Sequence, residues 1–268
     1  MSKTVEEKKQ QITATDPDMV SLAQITDCHI FAEAENCLQG VNTRHSFEAV
    51  SKAVIDNSGH LDLLLATGDL SQDASAESYA YLAQKIDAMG VATFWLPGNH
   101  DDIEALQQRF IGQKIHSAKH VLIADWQIVL LDSTIRGEVH GRVSEIQLEF
   151  LHDCLQAHPE KHALVCLHHQ ALDTGSLWID QKGLHGSDQL RENIARHDNI
   201  RGVLWGHVHQ EIQQSIGGVE WMSTPSTCVQ FKPQSKEFAI GTEAPGYRHL
   251  NLHADGRITT RVHRVDSF

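Results

Sequence analysis

The sequence predicts a layered α/β fold, and three observations carry that expectation. Short apolar runs of strand length alternate with segments whose apolar residues recur at helical spacing. The chain has 268 residues, enough to bury a substantial core within one domain. No internal repeat, low-complexity tract or long linker interrupts the alternation. The expected organisation is a flexible lead-in at 1–18 followed by a single domain over 19–268.

The first strand is expected at 20–25, followed by a helix that carries Phe47, Val50 and Val54 on one face. A strand at 61–66 leads to a helix with Tyr79, Leu82, Ile86 and Met89 in register. Strands at 93–96, 121–124 and 128–131 come next. Ser144-x-x-Gln147 is a capping box, and it opens a helix whose buried stripe is Leu148, Leu151 and Leu155. After strands at 163–167 and 203–205 the texture becomes β-rich. Gly217-Gly218 reads as a hairpin turn, and residues 246–265 alternate like a strand pair around Asp255-Gly256.

Lysine and arginine number 22 against 35 aspartates and glutamates, a formal charge of −13. That balance argues against non-specific binding to nucleic acid or anionic membranes. It also repels an anionic substrate unless something local reverses the field, and the 19 histidines are the first hint of what does. Cys28, Cys37, Cys154, Cys166 and Cys228 form no CxxC pair, which favours neither a disulfide framework nor a zinc knuckle and fits a reducing compartment. The N-terminal stretch has no apolar signal region, and no run approaches the ~18 apolar residues of a membrane span. A cytoplasmic location is expected.

Polar residues able to bind metal gather where the expected strands end. Asp27-Cys28-His29 follows the first strand, Gly68-Asp69 the second and Gly98-Asn99-His100-Asp101 the third. His168-His169 and Gly206-His207-Val208-His209 follow two later ones. Ligands of a parallel sheet sit in the crevice beyond the strand C-termini, so these clusters are candidates for one shared place. Each has an ordinary explanation alone: Gly-Asn is a turn signal, Gly-Asp an Asx turn, a strand-end histidine a solvated loop residue. Together their types and placement agree on metal.

Asp27, His29, Asp69, Asn99, His168, His207 and His209 supply carboxylates, imidazoles and one amide oxygen. Mixed nitrogen and oxygen ligation suits Fe, Mn, Zn or Co better than Mg or Ca. Seven donors overfill one ion and serve two if one carboxylate bridges. Two ions of about +4 to +5 in total, against two carboxylates and one hydroxide, leave about +1 to +2, enough to draw a phosphate to an acidic protein.

These motifs, in this order, resemble the signature of calcineurin-like metallophosphoesterases from about residue 20 to the C-terminus. Within that family the chain is similar to class III cyclic-nucleotide phosphodiesterases, specifically the bacterial 3′,5′-cyclic-AMP phosphodiesterases. The similarity lies in Gln24-Ile25-Thr26-Asp27, Ala66-Thr67-Gly68-Asp69-Leu70, Trp95-Leu96-Pro97-Gly98-Asn99-His100-Asp101 and the run from Ser223 to Pro233. The resemblance implies a four-layer αββα sandwich of the metallophosphoesterase type. It implies Asp27, His29 and His209 as ligands of one metal and Asn99, His168 and His207 as ligands of a second, with Asp69 bridging. His100 is implied to be catalytic and unligated, and His29, Asp69, Asn99, His100 and His209 to face the substrate. The cofactor implied is a pair of divalent ions, Fe and/or Mn first, with Zn or Co as alternatives.

The reaction implied is hydrolysis of cyclic AMP to 5′-AMP by a hydroxide held between the two metals, which lowers cellular cyclic AMP. His100 would act as general acid toward the ribose O3′. The partner is then a small nucleotide, with no nucleic acid and no membrane, and the protein a monomer or homodimer. The same metal set would serve a general phosphodiesterase or pyrophosphatase, and a scaffold that keeps the fold is the non-enzyme alternative. A protein phosphatase is disfavoured because no Arg follows the Gly-Asp or Gly-Asn-His motif.

The chain departs from the family pattern in places. Many relatives carry an aspartate three residues after the bridging one, facing the catalytic histidine; here that position is Gln72, followed by Asp73. Asp73 or Asp101 is left as the expected partner of His100. The histidine pair is followed by Gln170-Ala171 rather than His or Pro, which weakens His169 as a substrate contact. Cys28 reads as a buried thiol turned away from the ligands beside it. Trp178, Phe231 and Tyr247 lie where an aromatic face could stack on adenine, with ordinary packing the simpler account of each.

Overall fold

Strands such as LLLAT, four apolar residues and a threonine, are buried at every position because both of their faces are covered. In the computed structural model, which describes residues 8–266, that requirement is met by two facing sheets with helices outside each. The six-stranded sheet has the order β15 (Ile258–Arg264), β14 (Gly246–His253), β2 (Met19–Ile25), β5 (Leu63–Thr67), β6 (Thr93–Leu96), β7 (Ile115–His116). From β2 to β7 the pairs are parallel, and β14 pairs antiparallel with both neighbours. The seven-stranded sheet has the order β1 (Lys9–Ile12), β8 (His120–Ile123), β9 (Trp126–Leu130), β10 (His162–Cys166), β11 (Ile200–Trp205), β13 (Val219–Ser223), β12 (Ile212–Ile216). A small hairpin, β3 (Cys37–Leu38) and β4 (Val41–Asn42), stands apart.

Side-chain alternation sorts the apolar residues into three layers. Leu22 of β2 and Leu63 and Leu65 of β5 meet Leu164 and Cys166 of β10 and Leu204 of β11 between the sheets. Ala23, Ile25, Leu64 and Ala66 face outward onto α1 (Thr43–Asn57), α2 (Ala76–Ala88) and α3 (Ile103–Arg109), through Phe47, Val54, Tyr79, Leu82 and Leu106. Val165, Leu167, Val203 and Trp205 face α4 (Glu145–Ala157), α5 (Leu177–Asp180) and α6 (Ser187–Ala195), through Leu148, Leu151, Ile179, Leu190 and Ile194. This is the expected αββα sandwich. Each fully buried leucine contributes about 1.5–3 kcal/mol, so truncating Leu22 or Leu164 to Ala removes roughly 2–5 kcal/mol.

Several local expectations change for identifiable reasons. The strand expected at 61–66 begins at Leu63, because the Asp62 carboxylate accepts the N–H groups of Thr15 and Ser21 at 2.8 and 2.9 Å. The capping box is half formed: Ser144 Oγ accepts the Gln147 N–H at 3.4 Å, but Gln147 Oε1 turns to the N–H of Asp132 at 3.1 Å. Residues 9–12, placed in the flexible lead-in from sequence, form β1 and pair in parallel with β8; residues 1–7 lie outside the described residues. Gly217 and Gly218, at φ +63° and +81°, make the expected two-residue turn between β12 and β13. Among the described residues no helix is long and apolar enough to cross a membrane.

The site follows from this layering. The polar strand ends come from both sheets, β2, β5 and β6 of one and β10 and β11 of the other, rather than from one parallel sheet.

Candidate metal and active centre

Leaving a strand and immediately turning a polar side chain inward demands unusual backbone. Nine non-glycine residues among those described have positive φ, and Asp27, His29, Asp69, His207 and His209 are five of them. That conformation costs about 1–2 kcal/mol per residue, and its concentration here marks strain held in place by the surrounding structure. Gly68, at φ +93°, belongs to the same turn, and a Cβ on it would collide with the His168 imidazole.

The carboxylates lie at the centre. Asp27 Oδ1 is 3.2 Å from His209 Nε2 and 4.0 Å from His168 Nε2. Both Asp27 oxygens accept the His207 backbone N–H, and Thr26 Oγ1 donates to Oδ2 at 2.7 Å. Asp69 Oδ2 is 3.4 Å from His168 Nε2 and 3.7 Å from His29 Nε2, while Oδ1 accepts the His100 N–H at 2.8 Å. Asp69 therefore stands between the two expected ligand groups. Burial alone would raise the pKa of Asp27, but His209 and then His168 hold it below the usual carboxylate value. Burial likewise works to raise Asp69, and His168 foremost, with His100 and His29, drives it well below. For His168 burial is outweighed by Asp69, which pushes the imidazolium up to about 9, whereas burial depresses His29 to about 3.

Backbone carbonyls decide which ring nitrogen His168, His207 and His209 present. His168 Nδ1 lies 2.9 Å from Thr67 O and His209 Nδ1 lies 2.7 Å from Val229 O, so both present Nε2. His207 Nε2 is 3.1 Å from Lys182 O, which leaves Nδ1. His168 Nε2 and Asn99 Oδ1 are buried without a hydrogen-bond partner. An unmet buried acceptor such as Asn99 Oδ1 costs about 1–3 kcal/mol, and a cation would meet it and replace the proton on His168 Nε2. Donor atoms of Asp27, His29 and His209 lie within 4.8 Å of one another, as do those of Asp27, Asp69 and His168. The residues present thus fit a pair of divalent ions.

A model of the calcineurin-like phosphoesterase family matches residues 20–211. The chain belongs to that family. It is 44% identical over 247 residues to the 3′,5′-cyclic adenosine monophosphate phosphodiesterase CpdA of Escherichia coli K12, covering 92% of this chain and 90% of that one. It is 46% identical over 249 residues to the protein of the same name from Vibrio vulnificus, covering 92% and 91%. A 3′,5′-cyclic-nucleotide phosphodiesterase of Nostoc is 41% identical over 246 residues, 92% of each chain. A dimetal phosphatase from Danio rerio has a similar structure, with a TM-score of 0.61 at 16% identity, covering 92% of this chain and 99% of that one. So does an anchor protein of the Plasmodium inner membrane complex, with a TM-score of 0.64 at 10% identity, covering 92% and 89%. Likenesses at such low identity show the shared fold alone.

In this calcineurin-like phosphoesterase the expected partner of His100 changes. Asp101 accepts from the N–H groups of Gly98, Leu70 and Ser71 and from the Tyr79 hydroxyl, tying two loops together. Asp73 accepts from Ala32, Ser71 and Ser75. Neither reaches His100. Gln72 does, its Nε2 lying 3.2 Å from His100 Nδ1. His169, though beside His168 and His207, has both ring nitrogens engaged, by Ser133 Oγ at 2.8 Å and Val139 O at 3.1 Å. Cys28 packs into the outer core beneath α1 and α2.

The run from Ser223 to Pro233, in which the sequence offers no metal ligand, wraps behind Asp27 and His209. Thr227 N donates to Thr26 O at 3.2 Å, Ser226 Oγ donates to Asp27 O at 2.7 Å, and Val229 O receives His209. Phe231 stacks on the His209 ring at 4.0 Å and 8°. Above this floor lies a cavity of about 260 Å³ lined by the five residues expected to face substrate, His29, Asp69, Asn99, His100 and His209. Trp178 and Phe231 line it too, as does Phe238, which the sequence did not single out. Tyr247 does not: it is fully buried and donates to Ala53 O at 3.2 Å.

Proposed function

We propose that this protein hydrolyses 3′,5′-cyclic AMP to 5′-AMP in the cytoplasm with two divalent ions, Fe or Mn in preference to Zn or Co, and so lowers cellular cyclic AMP. The observation that supports this most is the convergence of Asp27, Asp69 and His168 with partnerless nitrogen and oxygen atoms beneath a small cavity. Relatives 41–46% identical over nine-tenths of the chain carry cyclic-nucleotide phosphodiesterase names. The intact donor set favours an enzyme over a scaffold that has kept only the fold.

Asp27, His29 and His209 would hold one ion and Asn99, His168 and His207 the other, with Asp69 shared. When bound, such a pair supplies Lewis acidity and a water acidic enough to attack phosphorus near neutral pH. Thr67 O and Val229 O aim the His168 and His209 nitrogens, and the Thr26 hydroxyl and the His207 N–H hold the Asp27 carboxylate. His100 stands at the mouth, its ring 5.0 Å from that of His29. With Nδ1 accepting from the Gln72 amide, its proton sits on Nε2, available to the ribose O3′ as the P–O3′ bond breaks.

Turnover of cyclic AMP, cyclic GMP, an aryl phosphodiester and an aryl phosphomonoester by protein loaded with Mn or Fe tests the reading. The expected result is release of 5′-AMP from cyclic AMP. Cleavage of the monoester with cyclic AMP untouched would overturn the substrate while leaving the metal centre in place.

A further inference from the structure

One wall of the cavity above the candidate metal centre is aromatic from floor to mouth. Phe231 lies flat on His209, the Trp178 centroid is 4.9 Å from Phe231, and Phe238 is 5.1 Å from Trp178 and 5.6 Å from Phe231. Phe238 is 51% exposed, a large apolar ring held half in water. The segment from Lys232 to Glu237 is polar, and it is closed by backbone bonds from Lys232 N to Ala239 O at 2.8 Å and from Gly241 N to Gln230 O at 2.9 Å. Trp178 and Phe238 line the same cavity as His29, Asp69, Asn99 and His100.

We propose that Trp178 and Phe238 form a base subsite that stacks a purine at the mouth of the cavity. Phe231, stacked on His209, is the floor of that subsite and positions the imidazole. A purine offers a π face to the exposed ring, which an aliphatic diester lacks. Aromatic stacking of a base is sequence-tolerant, so the subsite selects a nucleobase over no base more strongly than adenine over guanine. The inference rests on the reading that the centre takes a cyclic nucleotide.

The test compares 5′-AMP with ribose 5-phosphate, which share the phosphate and sugar but differ in the base, by calorimetric titration of metal-loaded protein. Wild type should bind 5′-AMP at least about tenfold more tightly than ribose 5-phosphate. In Phe238→Ala the two affinities should come within about twofold, with metal content unchanged, and Phe238→Trp should restore the preference. Trp178→Ala, which removes the second ring, should lose part of it. Equal affinities in wild type, including no binding of either ligand, or an unchanged ratio in Phe238→Ala would overturn the proposal and leave the aromatic wall as a protein-docking or packing feature. Because the readout is binding, its result is separate from turnover. Cyclic AMP hydrolysis with no base preference sinks the subsite alone, and a base preference without cyclic AMP hydrolysis sinks the substrate assignment alone.

Discussion

The floor and the mouth of the cavity are built in opposite ways. On the floor every expected ligand but Asn99 is buried, five sit in left-handed backbone, and hydrogen bonds to their backbone, carboxylates or rings hold them in place. The mouth consists of half-exposed side chains on loops, Phe238, Gln72 and His100, with few polar ties. The floor concentrates strain and charge where ions can offset both. The mouth leaves side chains free to meet an organic substrate. A change on the floor should act through metal and stability, and a change at the mouth through substrate.

The sharpest way to break that division is Asp69→Asn. It removes the carboxylate between the two histidine groups, and kcat should fall by about 1,000-fold or more, equivalent to about 4 kcal/mol. A loss below about tenfold would mean that the two groups do not share a ligand. Gly68→Ala tests the backbone of the floor. With φ at +93° and a new Cβ against His168, stability should drop by roughly 2–4 kcal/mol in a denaturant titration. An unchanged midpoint would show that the turn is not under constraint.

A third test concerns charge on the floor. In metal-free protein Asp69 raises His168 to about 9 from its ordinary value of 6.5. A raised folded-state pKa contributes stability that is full below the unfolded value and lost as pH climbs through the folded one. Metal-free protein should therefore lose stability between about pH 6.5 and 9, and metal loading, which needs the neutral ring, should release a proton in that window. A flat stability profile there, with no proton released, would contradict the arrangement. At the mouth, Gln72→Ala should lower kcat only about tenfold through looser placement of His100, with metal content intact. If metal were lost as well, Gln72 would belong to the floor.

The same contrast explains what the sequence disclosed. The floor was legible because each expected ligand group follows an apolar strand and several of its residues follow a glycine, so Asp27, Asp69, Asn99, His168 and His207 announce themselves by position. The layering was legible because strands covered on both faces are continuously apolar. Gln72 was visible as a departure, but the expectation of a carboxylate pointed instead to Asp73 and Asp101, which serve loop geometry. Phe238 carried no signal, since a lone aromatic in a polar loop has no period and no motif. The roles of Ser226 and Thr227 depend on contacts with Asp27 and Thr26, far away in the chain, which no local pattern reports. The strand at Lys9–Ile12 has too little apolar alternation to be read alone and exists because β8 offers it an edge.

Elemental analysis of active protein decides whether two ions share the Asp69 carboxylate. Two ions per wild-type chain and no more than one in Asp69→Asn is the predicted result. Full activity in protein that holds no metal, or two ions retained in Asp69→Asn without loss of turnover, would contradict it.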